Sequence, residues 1–327
     1  MNFEAETIDD LMADVITELL KRPFDVIPTK GPSSEIFGAM LQLNNPRARL
    51  SLTETRGKTF SALGEFLWYM AKSNKLEYIR YYIKQYKVCS DDGETIYGGY
   101  GPRLFKMRGK HNQIDTIIKL LKEKPNTRQA VIQLFDAEDL VEKHKDIPCT
   151  CTLQFILRDG KLNMLTSMRS NDAYLGLPHD IFCFTMLQEI IAMSLENVEL
   201  GTYKHVVGSL HLYEKNIDAS KLFLSEGSQS KKSPMPNMPV GNPWMSIRKI
   251  INFEKQLRKN PESLVEELSL DAYWLDLVHL LKIHSLIKNR MYNLIELEKE
   301  KISNSNYFPF IQKKIDELKI KIEKKEK

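Results

Sequence analysis

The chain has 327 residues, 42% of them hydrophobic and 28% charged, with a formal net charge of +4. That length and balance suit a globular protein with one large domain, or one large domain and a small one, and exclude a disordered chain. A charge this mild gives no ground for nucleic-acid binding, no apolar run is long enough to span a bilayer, and four cysteines at this length are not a disulfide framework, so a reducing cytoplasm is expected.

The N-terminus is acidic and amphipathic, where a secretory signal would be basic and then apolar. Residues 8–21 (IDDLMADVITELLK) repeat apolar side chains at helical spacing, with acids in the first turn. Residues 34–44 and 47–53 alternate apolar and polar and are expected as strands. Residues 58–72 have helical period and set Glu65 and Trp68 one turn apart. A further helix is expected over 76–87. The glycine-rich SDDGETIYGGYGPRL is expected as a loop. A helix over 113–123 and a buried strand over 128–135 follow. Strands 151–158 and 161–168 flank Asp159-Gly160, a hairpin signal. A long apolar helix over 178–196 opens at Pro178, where proline is tolerated, and a strand over 202–209 follows it. Composition shifts near residue 225, where SEGSQSKKSPMPNMPVGNP is rich in serine, proline and glycine. Beyond it the chain is expected to be helical, with long apolar periodicity over 262–302. Ile311, Ile315, Leu318 and Ile322 form a seam too short for a coiled coil. There are no internal repeats.

The chemistry concentrates in residues 146–216. DIPCTCTLQF places Cys149 after Ile147-Pro148 at the start of a strand. MRSNDAYLGLPHDIF carries Arg169, Ser170, Asp172 and Asp180, and GSLHLYEKN carries His211 and Tyr213. A thiol, an arginine, a carboxylate and a His-x-Tyr pair on one strand face are what a covalent enzyme of nucleotides needs. A Cys-x-Cys metal site would require further ligands, and none cluster nearby, so no metal is expected. Cys151 and Cys183 are expected to pack as small apolar residues.

This order and spacing resemble the thymidylate synthase superfamily, which includes the pyrimidine hydroxymethylases, over roughly residues 8–216. The resemblance implies an α/β (α+β) fold: a mixed sheet with flanking helices, plus a C-terminal helical extension. The expected divisions are a catalytic domain over 1–224, a linker or surface loop over 225–243 and a helical segment over 244–327. It implies a Cys149 thiolate that adds to C6 of a pyrimidine, making C5 nucleophilic toward the one-carbon unit of 5,10-methylenetetrahydrofolate. Glu65 and Tyr97 would then be catalytic. Arg169 and Ser170 would meet the nucleotide phosphate, with Arg169 also lowering the thiol pKa. His211 and Tyr213 would hold the sugar, and Asp172 the pterin. Arg128 would reach the phosphate of a partner copy in a homodimer. Asp180 stands where thymidylate synthases have asparagine. An amide matches uracil; a carboxylate can accept from the N4 amino group of cytosine, and cytidylate hydroxymethylases carry aspartate here.

Some positions depart from the family pattern. Lys30 is the nearest cation to the expected N-terminal phosphate arginine, Gln129 replaces the second of the paired arginines, Tyr86 is the nearest aromatic where tryptophans are expected, and the folate-closing tail is not recognisable. The sequence therefore supports hydroxymethylation of a cytidine nucleotide, with thymidylate synthesis from dUMP as the alternative. A third reading is a non-catalytic nucleotide-binding protein whose C-terminal helices meet a protein partner. Ribose or deoxyribose stays open.

Overall fold

The computed structural model describes residues 1–227, 234–265 and 268–326, with side chains described as far as residue 319. In chain order the elements are β1 (Asn2–Ala5), α1 (Ile8–Leu20), β2 (Ser33–Leu43), α2 (Thr59–Met70), α3 (Leu76–Tyr82), α4 (Tyr100–Phe105), α5 (Gln113–Glu123), β3 (Val131–Gln133), β4 (Thr150–Arg158), β5 (Lys161–Asp172), α6 (Leu177–Met193), β6 (Glu199–Tyr213), α7 (Ile217–Ser225), α8 (Pro243–Leu257), α9 (Ala272–Lys288), α10 (Ile295–Lys299) and α11 (Phe308–Glu326). Six strands form one mixed sheet in the order β1-β2-β6-β5-β4-β3. β1 runs parallel to β2 and β5 parallel to β6, and the other pairings are antiparallel.

Local chemistry explains the legible elements. Thr7 caps α1 by accepting from the Asp10 backbone N–H at 3.2 Å, and the helix buries Leu11, Met12, Val15, Ile16 and Leu19. Asp159 and Gly160 have φ of 52° and 71°, the two left-handed positions of a two-residue turn that matches strand twist. α6 is apolar around most of its circumference because it is central: the sheet lies on one side, α2 and α8 on others.

The two faces of the sheet differ. Paired residues on one face, such as Leu41, His205, Thr166 and Leu153, are fully buried under helices including α1 and α6. The opposite rows run Met40–Val206–Ser167–Thr152 and Gln42–Lys204–Leu165–Gln154, and all eight side chains are half-buried.

Several expectations need correction. Residues 47–53 are not a strand. Arg47 and Arg49 look like the polar half of an alternation, but both turn inward to Glu189 of α6, so the segment is an irregular strap. The helix expected over 76–87 ends at Tyr82 and continues as a 3₁₀ turn over Lys84–Cys89. The loop over 90–104 gives way to α4 at Tyr100. β6 extends to Tyr213, which places His211 inside the sheet. The apolar stretch 262–302 contains two helices, α9 and α10. In the Ser/Pro/Gly-rich stretch, residues 228–233 lie outside the described residues, but Met235 and Met238 are buried. Of the short seam, Ile311 and Ile315 are buried and Leu318 half-buried; the Ile322 side chain lies outside the described residues.

Candidate active site

The sheet delivers the candidate residues to one end. Cys149 immediately precedes β4, its backbone C=O accepting from the Arg169 N–H at 2.8 Å. The Arg169 guanidinium folds back over the same loop. Its Nε donates to the Pro148 carbonyl at 3.0 Å, and its Nη2 donates to the Ile147 carbonyl at 3.2 Å and lies 3.6 Å from Cys149 Sγ. Ser170 pairs with Ser209, and Asp172 with His211, across β5 and β6. His211 and Tyr213 share a strand face with their rings edge to face at 4.9 Å, and both are nearly buried.

Carboxyls surround the thiol. Glu65, buried on α2, accepts from the Tyr69 hydroxyl at 3.0 Å and the Tyr86 hydroxyl at 2.5 Å; burial raises its pKa and these bonds only partly oppose that. Asp180, in the first turn of α6, is pushed up to about 8 by burial and by Glu65, against the hydrogen bond from Asn171. Asn171 Nδ2 donates to Asp180 Oδ2 at 2.7 Å. A chain of hydrogen bonds continues from Asn171 through His205 and Tyr203 to Thr166 and fixes the orientation of that carboxyl. Asp146, three residues before the thiol, is pushed up to about 6 by burial, although Lys30 and Arg169 oppose the shift.

Arg169 does act to lower the thiol pKa, as expected, but it does not set the net shift. Cys149 is pushed up to about 11: burial, Asp180 and Asp146 outweigh the Arg169 and Lys30 cations. The cation is in place, but the thiol keeps its proton at neutral pH.

Two other candidates are not brought to this group. Tyr97 stacks on His144 with ring centroids 3.5 Å apart and lines a separate pocket with Arg103 and Asp139. The tyrosine beside the thiol is Tyr100, whose hydroxyl accepts from the Thr150 N–H at 3.1 Å. Arg128 is exposed next to β3, its carbonyl accepting from Gln154 Nε2, and among the described contacts it has none with Cys149.

Sequence reasoning missed Asp146, Tyr100, Asn171 and His205. It also missed Arg56, a buried residue whose guanidinium lies 4.7 Å from the Tyr174 ring centroid and whose Nε has no partner among the described residues. The roles of these residues depend on long-range contacts. Among the described residues no group of three or more His, Cys, Asp or Glu side chains could hold a metal ion. No helix among them is long and apolar enough to cross a membrane.

A family model described as thymidylate synthase matches residues 9–260. The curated relatives include a deoxyuridylate hydroxymethyltransferase of Pseudomonas phage M6, 35% identical over 165 residues, which are 50% of this chain and 46% of that protein. The protein of that name from Bacillus phage SP01 is 31% identical over 225 residues, 64% of this chain and 58% of the relative. The one from Delftia phage PhiW-14 is 27% identical over 239 residues, 68% of this chain and 64% of the relative. In these matches the chain spans between 46% and 64% of the relatives' length. With most of its length matched by the family model, and with the sheet and the Cys149 loop described above, the chain belongs to the thymidylate synthase family.

Proposed function

We propose that this protein is a pyrimidine nucleotide C5 hydroxymethyltransferase and that its base is cytosine. The observation that carries the reading is the grouping of the Cys149 thiol, the Arg169 guanidinium 3.6 Å from it and the half-buried Asp180 carboxyl. Cys149 attacks C6 of the base, Arg169 stabilises the thiolate as it forms, and Glu65 with its two tyrosines holds or moves a proton at the base edge. Ser170 and Arg169 would meet the phosphate, and His211 and Tyr213 the sugar. Three relatives named as hydroxymethyltransferases favour water over hydride as the final quench.

The residues present fit a reduced folate. Asp172 Oδ1 accepts from the backbone N–H groups of Tyr174 and Leu175, both at 2.9 Å, and the Arg56 guanidinium, with its unpartnered Nε, lies within the field of that carboxylate. Acceptor and donor together suit the amide and amino edge of a pterin. Bound there, methylenetetrahydrofolate supplies the one-carbon unit.

Asp180 decides the base. Ionised, it can only accept, which suits the N4 amino group of cytosine and sets acceptor against O4 of uracil. Neutral, it presents one donor and one acceptor and can match either edge. The neutral form, together with the relatives' names, favours a second reading in which the base is uracil. C5 tritium release from dCMP, CMP, dUMP and UMP separates the two. Cytidine nucleotides are expected to exchange at least tenfold faster, and Asp180→Asn is expected to move the preference toward uracil by a similar factor. Equal or faster exchange on dUMP selects the second reading.

We also propose a homodimer. The open face of the sheet, with its half-buried Met40, Val206, Leu165 and Gln154, is the surface a second copy would cover, giving an isologous interface. Phe37 on β2 is 87% exposed. Arg128 is tied through its carbonyl to Gln154 of that face, so dimerisation would carry it toward the partner's phosphate site. Light scattering at micromolar concentration is expected to give twice the 38.0 kDa chain mass; a monomer removes Arg128 from the site.

A further inference from the structure

We propose that Asp146 is the base that takes the proton from the water molecule quenching the exocyclic methylene, the step that makes a hydroxymethyl rather than a methyl product. The inference rests on the hydroxymethyltransferase reading above. Asp146 lies in the thiol loop, directly before Ile147 and Pro148, whose carbonyls hold the Arg169 guanidinium beside Cys149. Its Oδ2 sits over Gly98 so closely that a Cβ there would be 2.5 Å away. Gly98 of IYGGYG thus leaves room for this carboxylate. From that position its charge acts on Glu65, Tyr86 and Cys149. A base bonded to Cys149 through C6 would bring its C5 substituent into the same group of side chains.

The other two carboxyls of the site are already committed. Glu65 Oε1 accepts two tyrosine hydroxyls in a buried setting that raises its pKa, and Asp180 is held by Asn171 and pushed up to about 8. Asp146 has no hydrogen bond or ion pair among the described residues, and at about 6 it is ionised at neutral pH. A half-buried, unpaired carboxylate is costly unless something is to hydrogen-bond to it. A water molecule supplies the donors.

The step balances. With the thiol bonded to C6 and the methylene doubly bonded to C5, the water oxygen bonds to the methylene carbon and its proton goes to Asp146. The electron pair of that double bond moves into the ring, the C6–S bond breaks to regenerate the C5–C6 double bond, and Cys149 leaves as thiolate. No oxidant or reductant is required.

Microscopic reversibility gives a test that needs no folate. Given 5-hydroxymethyl-dCMP or 5-hydroxymethyl-dUMP in H₂¹⁸O, the unmutated protein is expected to expel water and add it back, placing ¹⁸O in the hydroxymethyl group. Asp146→Asn is expected to slow that exchange about 100-fold, the usual scale for a proton-transferring group, while C5 tritium exchange on the unsubstituted nucleotide, which needs Cys149 but no quenching water, persists. Asp146→Glu should restore part of the ¹⁸O exchange. Retained tritium exchange shows that the variant folds and that Cys149 still adds to C6. ¹⁸O exchange unchanged in Asp146→Asn overturns the inference, as does a proportional loss of both exchanges that Asp146→Glu does not relieve. Absence of both exchanges from the unmutated protein on either base sinks the functional reading itself, and this inference with it.

Discussion

Replacing Cys149 with serine is expected to reduce C5 tritium release by about 10³-fold or more on every nucleotide tested, because a serine hydroxyl at its ordinary pKa is a far weaker nucleophile than a thiol. The fold should survive. Cys149 is half-buried, and its sulfur makes one polar contact, so the loss of stability should stay near about 1 kcal/mol. Cys151, two residues on, is the internal control. It is half-buried in β4, and Cys151→Ser should keep most of the activity. Tritium release measured beside far-UV circular dichroism checks both variants. An active Cys149→Ser protein, or an inactive Cys151→Ser one, would move the nucleophile by two residues and with it every role assigned from this register.

Short-range chemistry was legible in the chain. The Asp159-Gly160 turn needs two left-handed residues, and the sequence offers an aspartate and a glycine there. α1 has its cap, its acids and its apolar stripe within 14 consecutive residues (7–20). Where reading failed, the deciding partner lay far away in the chain. Residues 47–53 alternate as a strand would, but their arginines answer to Glu189, about 140 positions later, and not to solvent. Met235 and Met238 sit in a stretch whose composition resembles a linker, yet they are buried, and the Met238 N–H donates to Glu189 as well. Composition reports what a segment can do unaided, and these segments are held from outside.

The site divides the same way. Cys149, Arg169, Asp180 and Glu65 were picked out because each sits in a stretch that resembles the family's; β4 and β5 carry or adjoin the first two, α6 and α2 the others. A tyrosine before a glycine is a local pattern, and both Tyr97 and Tyr100 satisfy it. Only the fold separates them, sending Tyr97 to His144 and Tyr100 to Thr150. The net shift of the thiol was not legible for a related reason. A sequence shows the neighbouring arginine but not the burial or the carboxyls that surround the sulfur, and those win.

Glu189→Ala is expected to be the most destabilising single substitution outside the apolar core, at about 3–5 kcal/mol, because it breaks a buried ion pair by removing one partner. Glu189 and Arg49 have fully buried side chains in contact, and Arg47 adds a second ion pair at 2.8 Å. Burial alone would raise the Glu189 pKa; Arg49 and Arg47 outweigh it and hold the carboxyl below its ordinary range. A depressed folded pKa contributes stability above the unfolded value near 4.3, and that contribution is lost as pH falls through the folded one. The pair therefore acts at full strength at neutral pH. Removing Glu189 strands the Arg49 guanidinium, whose Nε and Nη1 already lack partners among the described residues, and releases both the strap over 47–53 and the Met238 N–H. Arg47→Ala should cost far less, because the Arg47 side chain is 24% exposed and Arg49 keeps its partner. Urea unfolding at pH 7 orders the three proteins. A Glu189→Ala loss below about 1 kcal/mol, or one no larger than that of Arg47→Ala, would mean that the strap is held by its apolar contacts and not by the charges beneath it.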